Sequence, residues 1–256
     1  MNEVLFVGAG PGDPELITVK GQRAVMEADV VIYTGSLVPG QVLTWAKSGA
    51  EKIDSASMTL EQIIQTIREA WEKKGRVVRL HTGDPSLYGA VYEQMAELSK
   101  LSIPFSVIPG ITAAFAAAAS MKIEYTLPEV SQTLILTRMA GRTPVPELEN
   151  LASLASHQAS MAVYLSISLV DEVASVLSRH YGEDAVCAVA YKVSQPEEKV
   201  VYTPVSALPE TVKKENIASQ ALIIISKVLG TGFDSLRYKS RLYDRDFSHQ
   251  YRNAEG

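Results

Sequence analysis

Eleven residues, GAGPGDPELIT from Gly8 to Thr18, stand directly after an apolar opening run, where an α/β chain places its ligand loop. As a dinucleotide fingerprint the segment fails: the sixth position needs glycine and holds Asp13. Pro11 also lacks the N–H that a pyrophosphate cradle would use. Three glycines and two prolines instead make a tight, rigid loop whose backbone can approach a flat or sulfonium-bearing ligand without phosphates. A plain strand-to-helix turn is the competing reading.

A second Gly-Asp-Pro unit sits in HTGDPSLYG, His81 to Gly89, again at a strand's carboxyl end and so beside the first loop in a parallel sheet. Gly83 lets the chain pass close to an adenosine-sized body. Asp84 can accept hydrogen bonds from ribose hydroxyls or a ligand amino group, or else cap the next helix. In VIPGITAAFAAAA, Pro109-Gly110 ends a strand and Thr112 opens an alanine-rich helix. Thr112 and Ala113 either line the ligand site or serve close helix-to-sheet packing; both can hold. Of the four histidines, His81, His157, His180 and His249, only His81 adjoins a motif. A histidine next to a turn is usually structural or solvated, and no side chain in the sequence declares itself a base.

The elements that must present these loops are short β-branched runs at Val4–Val7, Val30–Tyr33, Val77–Leu80 and Phe105–Ile108, separated by helical periods, which predicts a parallel sheet. Thr18 begins a helix through Glu27. Thr59 with Gln62 forms a capping box for a helix ending near Gly75. The second half repeats the pattern with strands at 133–136, 161–165, 186–190, 200–203 and 222–225, and helices at 169–179 and 207–214. The turn-rich IEYTLPEV marks a boundary, giving an α/β protein with an N-terminal domain over 1–120, a C-terminal domain over 121–230 and a tail over 231–256. The tail is aperiodic but keeps Phe233, Tyr238, Tyr243, Phe247 and Tyr251, which fits either a docked or a partly disordered terminus.

With 256 residues, 46% hydrophobic and 21% charged, the chain is globular. Its net charge of -5 argues against a general nucleic-acid binder. The single cysteine, Cys187, excludes an internal disulfide framework or thiolate cluster. Ile111–Met121 is too short for a membrane span and reads as a buried helix, and nothing resembling a secretory signal precedes the first strand, so the cytoplasm is expected.

GAGPGDPELIT, YTGSLV (33–38), TGDPSLYG, PGIT, ILTRMAGRTPVPE (135–147) and SRLYDRDFSHQYR together resemble the precorrin-4 or cobalt-precorrin-4 C11-methyltransferase family over essentially the whole chain. The glycine loop is shared by all tetrapyrrole methyltransferases; the last two segments discriminate more. The resemblance implies two αβα domains with an active-site cleft between them, S-adenosylmethionine as methyl donor, and a homodimer; charge and segment length, as above, argue against a nucleic-acid or membrane partner. Its donor contacts fall on Pro11, Thr82, Gly83, Asp84, Leu87, Thr112, Ala113, Leu165 and Ala190. The implied substrate is a polycarboxylate tetrapyrrole, for which Arg79, Arg138, Arg142 and Lys192 are the candidate cationic partners. No protein metal site is expected; any cobalt arrives in the ring, and HTGDPSLYGA leans towards the cobalt form. The rivals are a sister methyltransferase acting at another ring position and a non-catalytic nucleotide- or tetrapyrrole-binding protein.

Overall fold

The computed structural model describes residues 3–254 other than Ser36, Pro39 and 233–237; the Ser36 of YTGSLV and the Phe233 of the tail therefore lie outside the described residues. The chain divides into two compact units, one of residues 1–117 with 192–198, the other of 118–191 with 199–256.

In the first unit, strands β1 (Val4–Gly8), β2 (Val30–Tyr33), β3 (Glu51–Asp54), β4 (Val77–His81) and β5 (Phe105–Ile108) pair in the order β3-β2-β4-β1-β5, every pair parallel. Alternation along the strands sends side chains to two faces. Val7, Val31, Val78, Leu80 and Ile108 pack with Val25 and Ala28, from helix α1 (Val19–Glu27) and its end. Phe6, Val30, Ile32 and Val77 pack on the opposite face with Ile63, Ile64 and Ile67 of α2 (Leu60–Glu72) and Leu98 of α3 (Tyr92–Lys100). Each buried aliphatic or aromatic side chain contributes roughly 1.5–3 kcal/mol. Arg79 and His81 share the parity of Val77, so their side chains leave β4 towards the α2 and α3 face.

Local signals account for the helix starts. Thr18 caps α1 through Gly21 N–H, and Thr59 and Gln62 form the reciprocal capping box on α2. Three strands or α-helices escaped the sequence reading, one of them the five-residue helix Leu151–Ala155. The edge strand β3 carries only one half-buried residue, Ile53, so it shows no apolar run. Helix α3 starts without a side-chain cap.

The second unit holds β6 (Leu134–Arg138), β7 (Ser160–Tyr164), β8 (Val186–Tyr191), β9 (Lys199–Pro204) and β10 (Ala221–Ile225) in the order β6-β7-β10-β8-β9. Only β6 and β7 pair in parallel; the other three pairs are antiparallel, so this sheet is mixed. Its core gathers Met161, Val163, Cys187, Val189, Ile223 and Ile225 against α5 (Leu151–Ala155), α6 (Val170–Tyr181) and α7 (Leu208–Lys214). The alanine-rich helix, α4 (Ala113–Met121), is not wholly buried: Ala114 and Ala117 are, whereas Phe115 is 54% exposed. Alanine on every side had hidden which face points outward. Among the described residues no helix is long and apolar enough to cross a membrane.

Candidate active site

Three of the sequence motifs meet in the first unit. Strands β1, β4 and β5 are adjacent, so their carboxyl ends deliver Gly8, Gly83 and Gly110 to one place. A Cβ on Gly8 would lie 2.6 Å from Gly110 Cα and 2.7 Å from the Gly83 carbonyl oxygen; one on Gly110 would overlap that same oxygen. Only glycine permits this approach. The first two loops also pair through backbone: Gly10 N–H donates to the Gly83 carbonyl at 3.2 Å and Gly83 N–H to that of Gly10 at 2.8 Å. Both residues have positive φ, 77° and 63°. The third loop joins through Asp84, whose carboxylate accepts Gly110 N–H at 2.8 Å.

Asp84 is therefore a brace between loops. Its other oxygen takes the N–H of Ser86 at 2.8 Å and the Ser86 hydroxyl, which fixes the turn rather than capping α3. Partial burial raises its pKa, but the hydrogen bonds from Ser86 and Gly110 outweigh that and leave it lowered. A carboxylate has lone pairs left for a ligand after these three bonds. Pro11 and Thr112 are buried, Thr82 is exposed, and Gly83, Leu87 and Ala113 are intermediate.

Residues 192–198 form a cover on the first loop that sequence reasoning missed. The Asp13 N–H donates to Ser194 Oγ at 3.0 Å, and a Cβ on Gly12 would collide with the Gln195 side chain. The contact spans more than 180 residues of chain and has no local signal in the sequence. Lys192 in this segment lies 3.9 Å from Glu197.

Beside the glycine assembly, a pocket of about 360 Å³ is lined by Thr34, Ser55, Arg79, His81, Tyr88 and Gln94, among others. Its wall is conformationally strained: Tyr88 and Ala90 take φ of 54° and 45°, the left-handed region that costs a non-glycine residue energy. Arg79 is 4% exposed. Its Nε donates to Gln94 Oε1 at 3.1 Å and its Nη2 to Thr34 Oγ1 at 3.4 Å, while Nη1 is buried with no partner. Burial pushes its pKa down to about 10, against the upward pull of Asp54, so the guanidinium is still charged at neutral pH. Among the described residues it forms no ion pair. A buried charge without a counter-ion costs several kcal/mol.

His81 is 6% exposed, with Phe6 packed against its ring at 5.8 Å between centroids. Burial, and then the charge of Arg79, push its pKa down to about 4, although a hydrogen bond to the Gly89 backbone pulls the other way. The ring is thus neutral at physiological pH, and its Nε2 is also buried without a partner.

The remaining candidates are in the second unit. Arg138 spends its guanidinium on its own loop, donating to the carbonyls of Met139 (3.3 Å), Thr143 (3.1 Å) and Pro144 (2.6 Å), so it braces LTRMAGRTP. Arg142, within that loop, is exposed. Leu165 lies one residue beyond β7 instead of inside it, at φ 52° and 67% exposed, and Ala190 is a buried residue of β8. In the tail, Arg252 Nη2 donates to the Leu242 carbonyl at 2.9 Å and Arg241 stacks over Phe247 at 5.4 Å, whereas Tyr243 and Tyr251 are more than four-fifths exposed.

Residues 3–209 match the family described as tetrapyrrole (corrin/porphyrin) methylases. A cobalt-precorrin-4 C(11)-methyltransferase of Methanocaldococcus jannaschii is 50% identical, over 98% of this chain and 96% of its own. A precorrin-4 C(11)-methyltransferase of Pseudomonas aeruginosa is 43% identical, over 98% and 99%. A crystal structure of a cobalt precorrin-4 methyltransferase superposes with a TM-score of 0.86 at 42% identity, covering 89% of this chain and 95% of that one. A uroporphyrin-III C-methyltransferase of Thermus thermophilus, solved with S-adenosylhomocysteine, gives 0.72 at 26% identity, covering 89% and 93%.

Proposed function

The chain belongs to the tetrapyrrole methylases, and on that premise we propose that it moves a methyl group from S-adenosylmethionine to C11 of precorrin-4, giving precorrin-5, in corrin-ring synthesis. The observation that carries the reading is the 50% identity maintained over almost the whole of both chains with a relative named for this reaction. We favour the cobalt-bearing ring on the 50% identity to the Methanocaldococcus jannaschii relative named for it.

The chemistry asks little of the side chains. When bound, the sulfonium would supply an activated methyl: a ring carbon bonds to that methyl as its bond to sulfur breaks, S-adenosylhomocysteine is the leaving group, and the alkylated ring gives up a proton. The protein has to hold the two partners in line and exclude water, and such orientation can supply about 7–11 kcal/mol of the barrier. Loops braced by Gly8, Gly83 and Gly110 suit this task, because a donor held by stiff backbone loses little freedom on reacting. Within the first unit the donor's proposed contacts are Pro11, Thr82, Gly83, Asp84, Leu87, Thr112 and Ala113; Leu165 and Ala190 are the candidates of the second. For the ring, Arg79 has the best claim, as a residue lining a pocket with a buried donor that has no partner. Arg138 positions its loop, and Arg142 and Lys192 remain secondary.

The same reading makes the protein a cytoplasmic homodimer that works without nucleic acid; the acidic net charge supports the last of these. Light-scattering mass in solution tests the dimer. The reaction is tested by incubating the chain with methyl-labelled S-adenosylmethionine and either cobalt-precorrin-4 or the metal-free ring. Label at C11, faster with cobalt, is expected; label at another ring carbon, or none with S-adenosylhomocysteine failing to bind, refutes the assignment.

A further inference from the structure

Arg79 and His81 share three properties: both are on β4 and buried beyond nine-tenths, both line one pocket, and each carries a buried polar atom without a partner, Nη1 and Nε2 respectively. Unpartnered buried polar atoms are rare, and two on one pocket point to a ligand group that satisfies both. Nη1 is a fixed donor. With the other ring nitrogen of His81 engaged at the Gly89 backbone, Nε2 is the acceptor of the neutral imidazole. The complementary group therefore offers an acceptor to one atom and a proton to the other.

We propose that this pocket takes one carboxyl arm of the ring, one oxygen accepting from Arg79 Nη1 and the other sharing a proton with His81 Nε2, so that ring binding takes up a proton. This rests on the methyltransferase reading above. The surrounding charges favour it. Glu93, on the first turn of α3, lines the pocket and is exposed, so it opposes an unprotonated carboxylate. Asp54, from the end of β3, already acts on Arg79 through space. The remaining titratable group in the wall is the Tyr88 hydroxyl. The guanidinium by itself favours an ionised arm; against it stand Glu93, Asp54 and the acceptor Nε2, which a bare carboxylate oxygen would repel and which a proton held between Nε2 and the arm's second oxygen satisfies. The balance is simple: an ionised arm and one solvent proton become a single hydrogen-bonded O–H···N pair beside the guanidinium, with no bond to carbon changed.

The test is calorimetry at pH 7.5, binding cobalt-precorrin-4 to the chain preloaded with S-adenosylhomocysteine, in phosphate and in Tris. The difference in heat between buffers counts protons. The proposal expects about one proton taken up per ring by the wild type and none by His81→Gln, with affinity roughly tenfold weaker in His81→Gln and in Arg79→Lys. In turnover, the wild-type KM for the ring should rise from pH 6.5 to 8.5 with kcat unchanged, a readout that does not depend on any variant folding. Equal proton counts in wild type and His81→Gln, or a pH-independent wild-type KM, overturn the proposal while leaving the methyltransferase reading intact. A wild-type chain that binds no S-adenosylhomocysteine overturns that reading, and the proposal with it.

Discussion

Asp84 and Gly110, 26 positions apart, are joined by a 2.8 Å hydrogen bond from the glycine N–H to the aspartate carboxylate, which ties the loop after β4 to the loop after β5. Asp84→Ala removes that acceptor and the one used by Ser86 N–H. The expected loss is about 1–3 kcal/mol of stability in urea melts, together with weaker S-adenosylhomocysteine binding. Melting unchanged would mean the bond is dispensable; affinity unchanged in calorimetry would remove Asp84 from the donor contacts.

Gly110→Ala should be harsher. Its Cβ would enter the Gly83 carbonyl oxygen and stand 2.8 Å from Gly8 Cα, and both obstacles are backbone that cannot rotate away. We expect a loss of about 1–3 kcal/mol or more, as for overpacked cores, with donor binding abolished. A normal thermal midpoint for this variant would show that the three strand ends are looser than described.

At Gly12 the obstacle is a side chain, and the prediction is one of rescue. Gly12→Ala should weaken S-adenosylhomocysteine binding because its Cβ collides with Gln195; adding Gln195→Gly should restore most of it. Strictly additive effects in this double-mutant cycle would mean the cover and the loop do not interact.

His81 makes a pH signature. Its folded pKa of about 4 lies below the unfolded 6.5, so the unfolded chain binds more protons between those values and stability falls as the pH falls through them. The contribution amounts to about 3 kcal/mol by pH 4. Carboxylates such as Asp29 and Asp54, held low by hydrogen bonds from Arg76 N–H and Gly35 N–H respectively, titrate in the acid range as well. The difference between wild type and His81→Gln in urea melts from pH 7 to 4 isolates the histidine. Parallel curves would place its proton elsewhere.

Most of the framework was legible because it is written locally. Nine of the ten strands announce themselves as β-branched or apolar runs, and Thr18 and Thr59 mark helix starts by chemistry contained within three residues. The tenth, β3, is an edge whose exposed residues need no apolar pattern. In the site, the glycines of the first two loops were legible as close-approach positions. That Gly8 and Gly110 touch was not, since the contact joins residues a hundred apart and depends on β1 and β5 being neighbours. Arg138 shows the limit from the other side: an arginine near an expected loop reads as a ligand partner until its donors are found on the carbonyls of Met139, Thr143 and Pro144. Arg79 was flagged by type alone, and the free donor that distinguishes it is visible only in three dimensions.

The cover over the first glycine loop also sets an order of events during synthesis. The five strands of the first sheet are complete in the chain by Ile108, yet Ser194 and Gln195, which close over Gly12 and Asp13, emerge more than 80 residues later. At about 5–20 residues per second, the ribosome holds the donor loop open for seconds after its sheet can form. A nascent chain therefore acquires its scaffold before its finished loop, and the intervening strands of the second unit are made in that interval.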